Sequence, residues 1–248
     1  NDFKKDRIES KEWDQSWKKY VGSCSKVIKE ISPGINIWLY SDSRLSLDIY
    51  KDTFEKMETQ FLVSFLKEGD IFIDIGANIG YFTLIASKFV GETGRVYAFE
   101  PCEQTFNRLN ENIKLNNFTN VSTYKMALSD RKGKQKIVSL SKGYAAWNSF
   151  ARKSENPFRT ETVQCITLDD FIGENDLHDQ VAMVKIDVEG WEKRVLIGGE
   201  VVLSSKNAPI LQVEFSDATC SLSGESTYDL YQKLESLEYK MYIYNSEI

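Results

Sequence analysis

Apolar residues along this chain change their spacing more than once, and the changes divide it into segments. Near the start, Trp13, Trp17 and Val21 recur one helical turn apart among lysines and glutamates, the pattern of an amphipathic helix packed on one face. Ile35–Tyr40 and Arg44–Tyr50 follow as two β-rich runs separated by Ser41-Asp42-Ser43, which predicts a hairpin. Thr53–Leu66 returns to helical spacing, and Gly69-Asp70 closes it.

Beyond this point short apolar runs alternate with longer helical stretches, the signature of βαβ units that wind a parallel sheet. Strands are expected at Ile71–Ile75, Val96–Glu100, Val121–Ala127, Ala182–Asp187 and Ile210–Phe215. Helices fit at Gly80–Phe89, Glu103–Asn116, Trp191–Gly198 and Ser226–Leu237. Two further β-like runs, Gln135–Leu140 and Thr162–Leu168, bracket a polar and aromatic stretch from Ser141 to Thr160, a natural loop over a ligand site. Tyr239–Tyr244 reads as a last strand.

Length and composition narrow this picture. With 248 residues and 42% hydrophobic content the chain can bury one substantial core. The economical division is an N-terminal helix and hairpin appendage over residues 1–52 and one catalytic domain over 53–248. A formal charge of −6 does not advertise the general phosphate attraction of a nucleic-acid binder, so a small or neutral partner is expected. Cys24, Cys102, Cys165 and Cys220 lie far apart without a CxxC pair, which argues against a zinc site and a disulfide framework and fits a cytoplasmic protein. No run is long enough to span a bilayer. The first residue is not methionine and the last strand runs almost to the end, as expected of a fragment of a larger, multidomain protein. The appendage either closes over the substrate or contacts a second copy in a homodimer.

The candidate chemistry lies at the strand ends. The first sheet strand runs into Asp74-Ile75-Gly76-Ala77-Asn78-Ile79-Gly80 before a helix begins at Tyr81, and a glycine turn there lets backbone approach a ligand closely. The spacing is not the GxGxxG of dinucleotide sites, and Asp74 would repel a pyrophosphate. A carboxylate at that position suits a cationic ligand, and the amino and sulfonium groups of S-adenosylmethionine supply the charge. The second strand ends in Phe99-Glu100-Pro101, where Glu100 can accept both ribose hydroxyls. Ala127 and Ser129, at the end of the third, are placed to line the adenine.

These residues, with Thr167-Leu168-Asp169-Asp170 and Lys185-Ile186-Asp187-Val188-Glu189-Gly190-Trp191-Glu192, resemble the FkbM family of methyltransferases over roughly Glu58 to Phe215. The resemblance implies a doubly wound α/β fold with a Rossmann-like seven-stranded sheet. It also implies S-adenosyl-L-methionine as cofactor and O-methylation of sugars, glycolipids or polyketide products.

Methyl transfer to oxygen needs an aligned acceptor and a destination for its proton. Asp187 is the first candidate base and Glu189 the second, with Lys185 tuning either; the less favoured alternative is that Asp187 orients the methionine moiety or caps the next helix. Glu214 and Asp217, at the end of the fifth strand, add carboxylates to the same rim, and the four acids together offer a hard divalent cation an alternative site, although no metal is expected. His178 lies in a polar loop and is a weaker candidate. Tyr144, Trp147 and Arg152 in the long loop carry the groups that stack on and hydrogen-bond to sugars, or else they pin the loop to the domain. The strand-four end reads Asp-Val-Glu-Gly in place of the Asn/Asp-Pro-Pro-aromatic of base-directed N-methyltransferases, which disfavours that class. A non-catalytic scaffold would have no physical reason to keep Asp74, Glu100 and Asp187.

Overall fold

The computed structural model describes residues 15–139 and 159–243. A helical segment over 15–20, α1, buries Trp17, whose Nε1 donates to the Cys24 carbonyl at 3.0 Å. Trp13 lies outside the described residues.

The hairpin is present but is built one element earlier than the sequence pattern predicts. Strands β1 (Lys26–Ser32) and β2 (Ile35–Tyr40) pair antiparallel across Pro33-Gly34. Ile35, Ile37 and Leu39 form the fully buried face of β2. The expected second strand, Arg44–Tyr50, is helix α2. Its start is fixed by side chains: Ser43 Oγ accepts the Ser46 N–H at 3.3 Å, and Ser46 Oγ accepts the Tyr40 N–H at 3.0 Å, ending the strand and capping the helix together.

The central sheet is parallel, in the order β10 (Ile210–Val213), β9 (Val181–Ile186), β3 (Ile71–Ile75), β4 (Arg95–Phe99), β5 (Val121–Tyr124). Among the described residues it has five strands where the resemblance implied seven. Val121–Ala127, expected as one strand, breaks after Tyr124. Its tail becomes β6 (Ala127–Leu128), which joins β8 (Arg159–Ile166) and β7 (Gly133–Ser139) in a separate three-stranded sheet. Residues 239–243, expected as strand, carry no strand pairing.

Side-chain alternation along the strands feeds two apolar layers, as a sheet covered on both faces requires. Phe72 and Met183 point to the layer shared with β2, α2, α3 (Lys56–Phe65), α4 (Tyr81–Val90) and α5 (Glu103–Leu115). Ile73, Ile75, Val184 and Ile186 point to the other, with α6 (Leu168–Glu174), α7 (Glu192–Gly198), α8 (Glu200–Leu203) and α10 (Thr227–Ser236). Helix α9 (Asp217–Ser223) follows β10. The hairpin and α2 therefore belong to the main core. Among the described residues no helix is long and apolar enough to cross a membrane. The chain runs outward from β3 in both directions, to β4 and β5 on one side and to β9 and β10 on the other. The crevice between β3 and β9 at their carboxyl ends is the switch point at which such sheets bind ligands.

Candidate active site

A cavity of about 320 Å³ opens at that switch point. Its lining includes apolar residues such as Cys102, Met126, Leu128 and Ile137, together with Glu100 and a mutually interacting ionisable group, Glu55, Asp74, Lys185, Asp187 and Glu214. Helix α2 contributes Arg44, Leu45 and Asp48 to the lining.

The loop from β3 to α4 is held by the next strand: Gly76 and Ala77 N–H groups both donate to the Phe99 carbonyl, at 3.0 and 2.9 Å. Gly76 sits at φ 86°, and a Cβ there would lie 1.8 Å from the Asp187 carbonyl oxygen. A close approach to the backbone leaving β9 therefore demands glycine here, and Gly76 also lines the cavity. Gly80, also expected at the ligand, is not among the cavity residues; a Cβ on it would meet Leu109 at 2.7 Å. Asn78 and Tyr81 do line the cavity.

Asp74 is buried on β3. Its Oδ2 accepts from Thr83 Oγ1 at 2.5 Å, and its Oδ1 has no hydrogen-bond partner. Burial pushes its carboxyl above the usual range, against the pull of Lys185 and the Thr83 hydrogen bond. An unpaired buried carboxylate oxygen is costly, and a cationic donor in the cavity would satisfy it.

Glu100 is also buried and raised by burial. Its Oε1 accepts from the Cys102 N–H at 2.9 Å and Thr105 Oγ1 at 2.6 Å, and its Oε2 from the Asn78 N–H at 3.0 Å. With about four acceptor positions on a carboxylate, one remains for a hydroxyl where a bidentate pair was expected. Glu100 also fixes the loops around it. Glu100→Ala is therefore expected to cost about 2 kcal/mol in urea unfolding, because three donors lose their acceptor. It is also expected to weaken S-adenosylmethionine binding roughly tenfold by calorimetry.

Lys185 and Asp187 form an ion pair, Nζ to Oδ2 2.7 Å, with the Lys185 side chain 5% exposed and the Asp187 side chain 25% exposed. Burial works to deprotonate Lys185, but Asp187, Glu55 and Asp74 prevail and hold it firmly protonated. Its ammonium also lies 4.6 Å from the centre of the Phe82 ring. Glu189 lines the cavity from a left-handed turn (φ 55°) that the buried Glu192 ties down by accepting the Val188 and Gly190 N–H groups at 2.9 and 3.1 Å. Glu214 follows β10, with a buried, unpartnered Oε2; burial and then the charges of Asp187 and Glu189 push its carboxyl up to about 9.

Of the remaining expected residues, Pro101 and Ala127 line the cavity, whereas Ser129 does not. Its hydroxyl is fully buried, accepting from Trp191 Nε1 and Gln135 Nε2 at 3.1 Å each and donating to Asp130 at 3.0 Å. His178 is exposed and away from the cavity, and Asp217 accepts from Thr227 at the start of α10. Among the described residues no group of three or more His, Cys, Asp and Glu is arranged to hold a metal ion. Tyr144, Trp147 and Arg152 lie outside the described residues. Sequence reasoning missed Glu55, Arg44 and Asp48. Glu55 stands where a helix begins and so reads as a cap, yet its side chain makes no capping bond.

A family model described as the methyltransferase FkbM domain matches residues 74–241, more than half of the chain. The chain belongs to the FkbM methyltransferase family. The family is one of S-adenosylmethionine-dependent methyltransferases, and the Asp74 and Glu100 positions fall inside the matched range. Among its relatives, the hexuronic acid methyltransferase AglP of Haloferax volcanii is 30% identical over 177 residues, 71% of this chain and 66% of that protein. The 31-O-demethyl-FK506 methyltransferase FkbM of Streptomyces tacrolimicus is 30% identical over 162 residues, 54% of this chain and 61% of its own length. The chain thus spans slightly under two thirds of the length of both. A crystal structure of methyltransferase FkbM from Methylobacillus flagellatus KT superposes over 96% of this chain and 55% of its own, with a TM-score of 0.48 and 15% identity.

Proposed function

We propose that the protein is an S-adenosylmethionine-dependent O-methyltransferase whose acceptor is a neutral hydroxyl of a glycan or glycolipid. The observation that carries this reading is the acidity of the cavity: seven acidic side chains line it (Asp48, Glu55, Asp74, Glu100, Asp187, Glu189, and Glu214, which stays protonated) against two cations, Arg44 and Lys185. Lys185 is committed to Asp187, and Arg44 stands 3.9 Å from Asp48. Such a surplus favours a ligand with net positive charge and disfavours an anionic acceptor beside it.

When bound, S-adenosylmethionine supplies an activated methyl group. Asp74 Oδ1 would accept from its ammonium, the remaining position on Glu100 would accept a ribose hydroxyl, and the apolar wall with Pro101 and Ala127 would hold the adenine. Asp187, fixed by Lys185, orients the acceptor together with Glu189, and the neutral Glu214 carboxyl donates a hydrogen bond to it. Tyr144, Trp147 and Arg152 are assigned to the acceptor because they fall between β7 and β8, and Ile137 of β7 lines the cavity. The name of AglP supports a sugar acceptor, although the sugar it names is an acid, and that of FkbM a second reading, a small natural product.

Titration with S-adenosylmethionine, S-adenosylhomocysteine and NAD tests the cofactor, and radiolabelled methyl transfer to a panel of neutral glycans, uronates and macrolides tests the acceptor. Binding of the first two ligands, with transfer to a neutral glycan that survives exhaustive chelation, is expected. Binding of NAD alone would end the methyltransferase reading, and transfer confined to uronates would end the neutral-hydroxyl one.

A further inference from the structure

Four acids approach the Lys185 ammonium or its immediate surroundings, and three are already committed. Asp187 is ion-paired to Lys185 through Oδ2. Asp74 sits within the sheet with Thr83 on one oxygen. Glu214 is buried and crowded by Asp187, Glu189 and Glu192, and burial first and those charges second oppose its ionisation. Glu55 differs from these. It faces the cavity from the start of α3 on a left-handed backbone (φ 31°), a strained conformation for a residue with a Cβ. The position is pinned by Thr59, whose N–H and hydroxyl both donate to the Glu55 carbonyl, at 3.0 and 2.7 Å.

The groups facing Glu55 come from every wall of the site: Lys185 and Asp187 from β9 and its end, Asp74 from β3, Tyr81 from α4, and Glu58 from its own helix. Arg44 and Asp48 of α2 stand at the same cavity. Burial, opposed by Lys185, pushes its carboxyl up to about 7, so that one added charge nearby decides its state at neutral pH.

Resting on the reading of the cavity as an S-adenosylmethionine site, we propose that Glu55 is the proton acceptor for the substrate hydroxyl, and that the positive charge of the methyl-bearing cofactor ionises it. As the acceptor oxygen bonds to the methyl carbon, the carbon–sulfur electron pair stays with sulfur and the hydroxyl proton passes to Glu55. The site then holds a neutral thioether, and Glu55 has no added cation to keep it ionised. S-Adenosylhomocysteine, which lacks that charge, leaves Glu55 protonated, so the acid is armed only beside a cofactor that still carries its methyl group.

The test is calorimetric titration at pH 6.5 and 8.5 in buffers of different ionisation enthalpy, using S-adenosylmethionine and S-adenosylhomocysteine on the wild type, Glu55→Gln, Glu55→Asp and Glu214→Gln. At pH 6.5 the wild type and Glu214→Gln are expected to release roughly half a proton more with the methylated ligand than with the demethylated one, the excess shrinking at pH 8.5. The excess should vanish in Glu55→Gln and persist with a shifted pH midpoint in Glu55→Asp, both unfolding cooperatively. Equal release by the two ligands, or an excess that survives Glu55→Gln and disappears in Glu214→Gln, would overturn the assignment. Failure of either ligand to bind would instead remove the cofactor reading on which it rests.

Discussion

Gly76→Ala is expected to lower stability by about 4 kcal/mol, which places it among the most damaging single-atom-scale changes available to this chain. Two costs add. At φ 86° a residue with a Cβ is strained, and the added carbon would lie 1.8 Å from the Asp187 carbonyl oxygen and 2.9 Å from its carbon. Neither atom can yield cheaply, because Asp187 is pinned by its own N–H, which donates to the Ile75 carbonyl at 3.0 Å. Relaxation must therefore separate β3 from the end of β9, and that seam carries Asp74 on one side and Asp187 on the other. Urea unfolding should show the loss in the midpoint. Saturating S-adenosylmethionine should recover less of it than in Glu100→Ala, since the displaced backbone forms the floor of the site. A midpoint within about 1 kcal/mol of the wild type would mean that β9 leaves the sheet elsewhere.

The strand ends were legible because a buried parallel strand is a run of apolar residues, and an acid that interrupts it must be paired or functional. Asp74, Glu100 and Asp187 all announced themselves in this way. Helix α2 did not. Leu45, Leu47 and Ile49 alternate with the period of a strand, and over seven residues that alternation cannot be separated from a helix. The Ser43 cap decided the outcome, and with it the wall formed by Arg44 and Asp48. Val121–Ala127 reads as one run because nothing in its composition marks the change of sheet after Tyr124. Ser129 follows an expected cavity strand, yet its hydroxyl is consumed by Asp130 and Gln135 nearby in sequence and by Trp191, 62 residues away, a partner that only the folded chain reveals. Glu55 had the opposite fault: its place at a helix start has an ordinary explanation, which the absence of a capping bond removes.

The acids of the site make the fold's pH dependence run against the common carboxylate pattern. Burial raises Glu55 to about 7 and Glu214 to about 9, and raises Asp74 and Glu100 as well. Between their unfolded and folded values the native state holds more protons than the unfolded one, so stability falls as pH climbs through that window. Lys185 limits the damage. Its folded value is raised, so its stabilising contribution is complete below the unfolded lysine value and is lost only as pH rises through the folded one. Lys185→Met removes this contribution throughout and leaves Asp74, Asp187 and Glu55 to repel one another. The expected cost is about 4 kcal/mol at pH 7, the range for stranding buried charge. The loss should shrink toward pH 5, where the acids take up protons, and grow at pH 8.5. Unfolding curves at the three pH values check the sign, and a pH-independent loss would assign Lys185 a packing role against Phe82 instead. S-Adenosylmethionine should stabilise the variant more than S-adenosylhomocysteine does, because its positive charge enters the same ring of carboxylates from which the ammonium was taken.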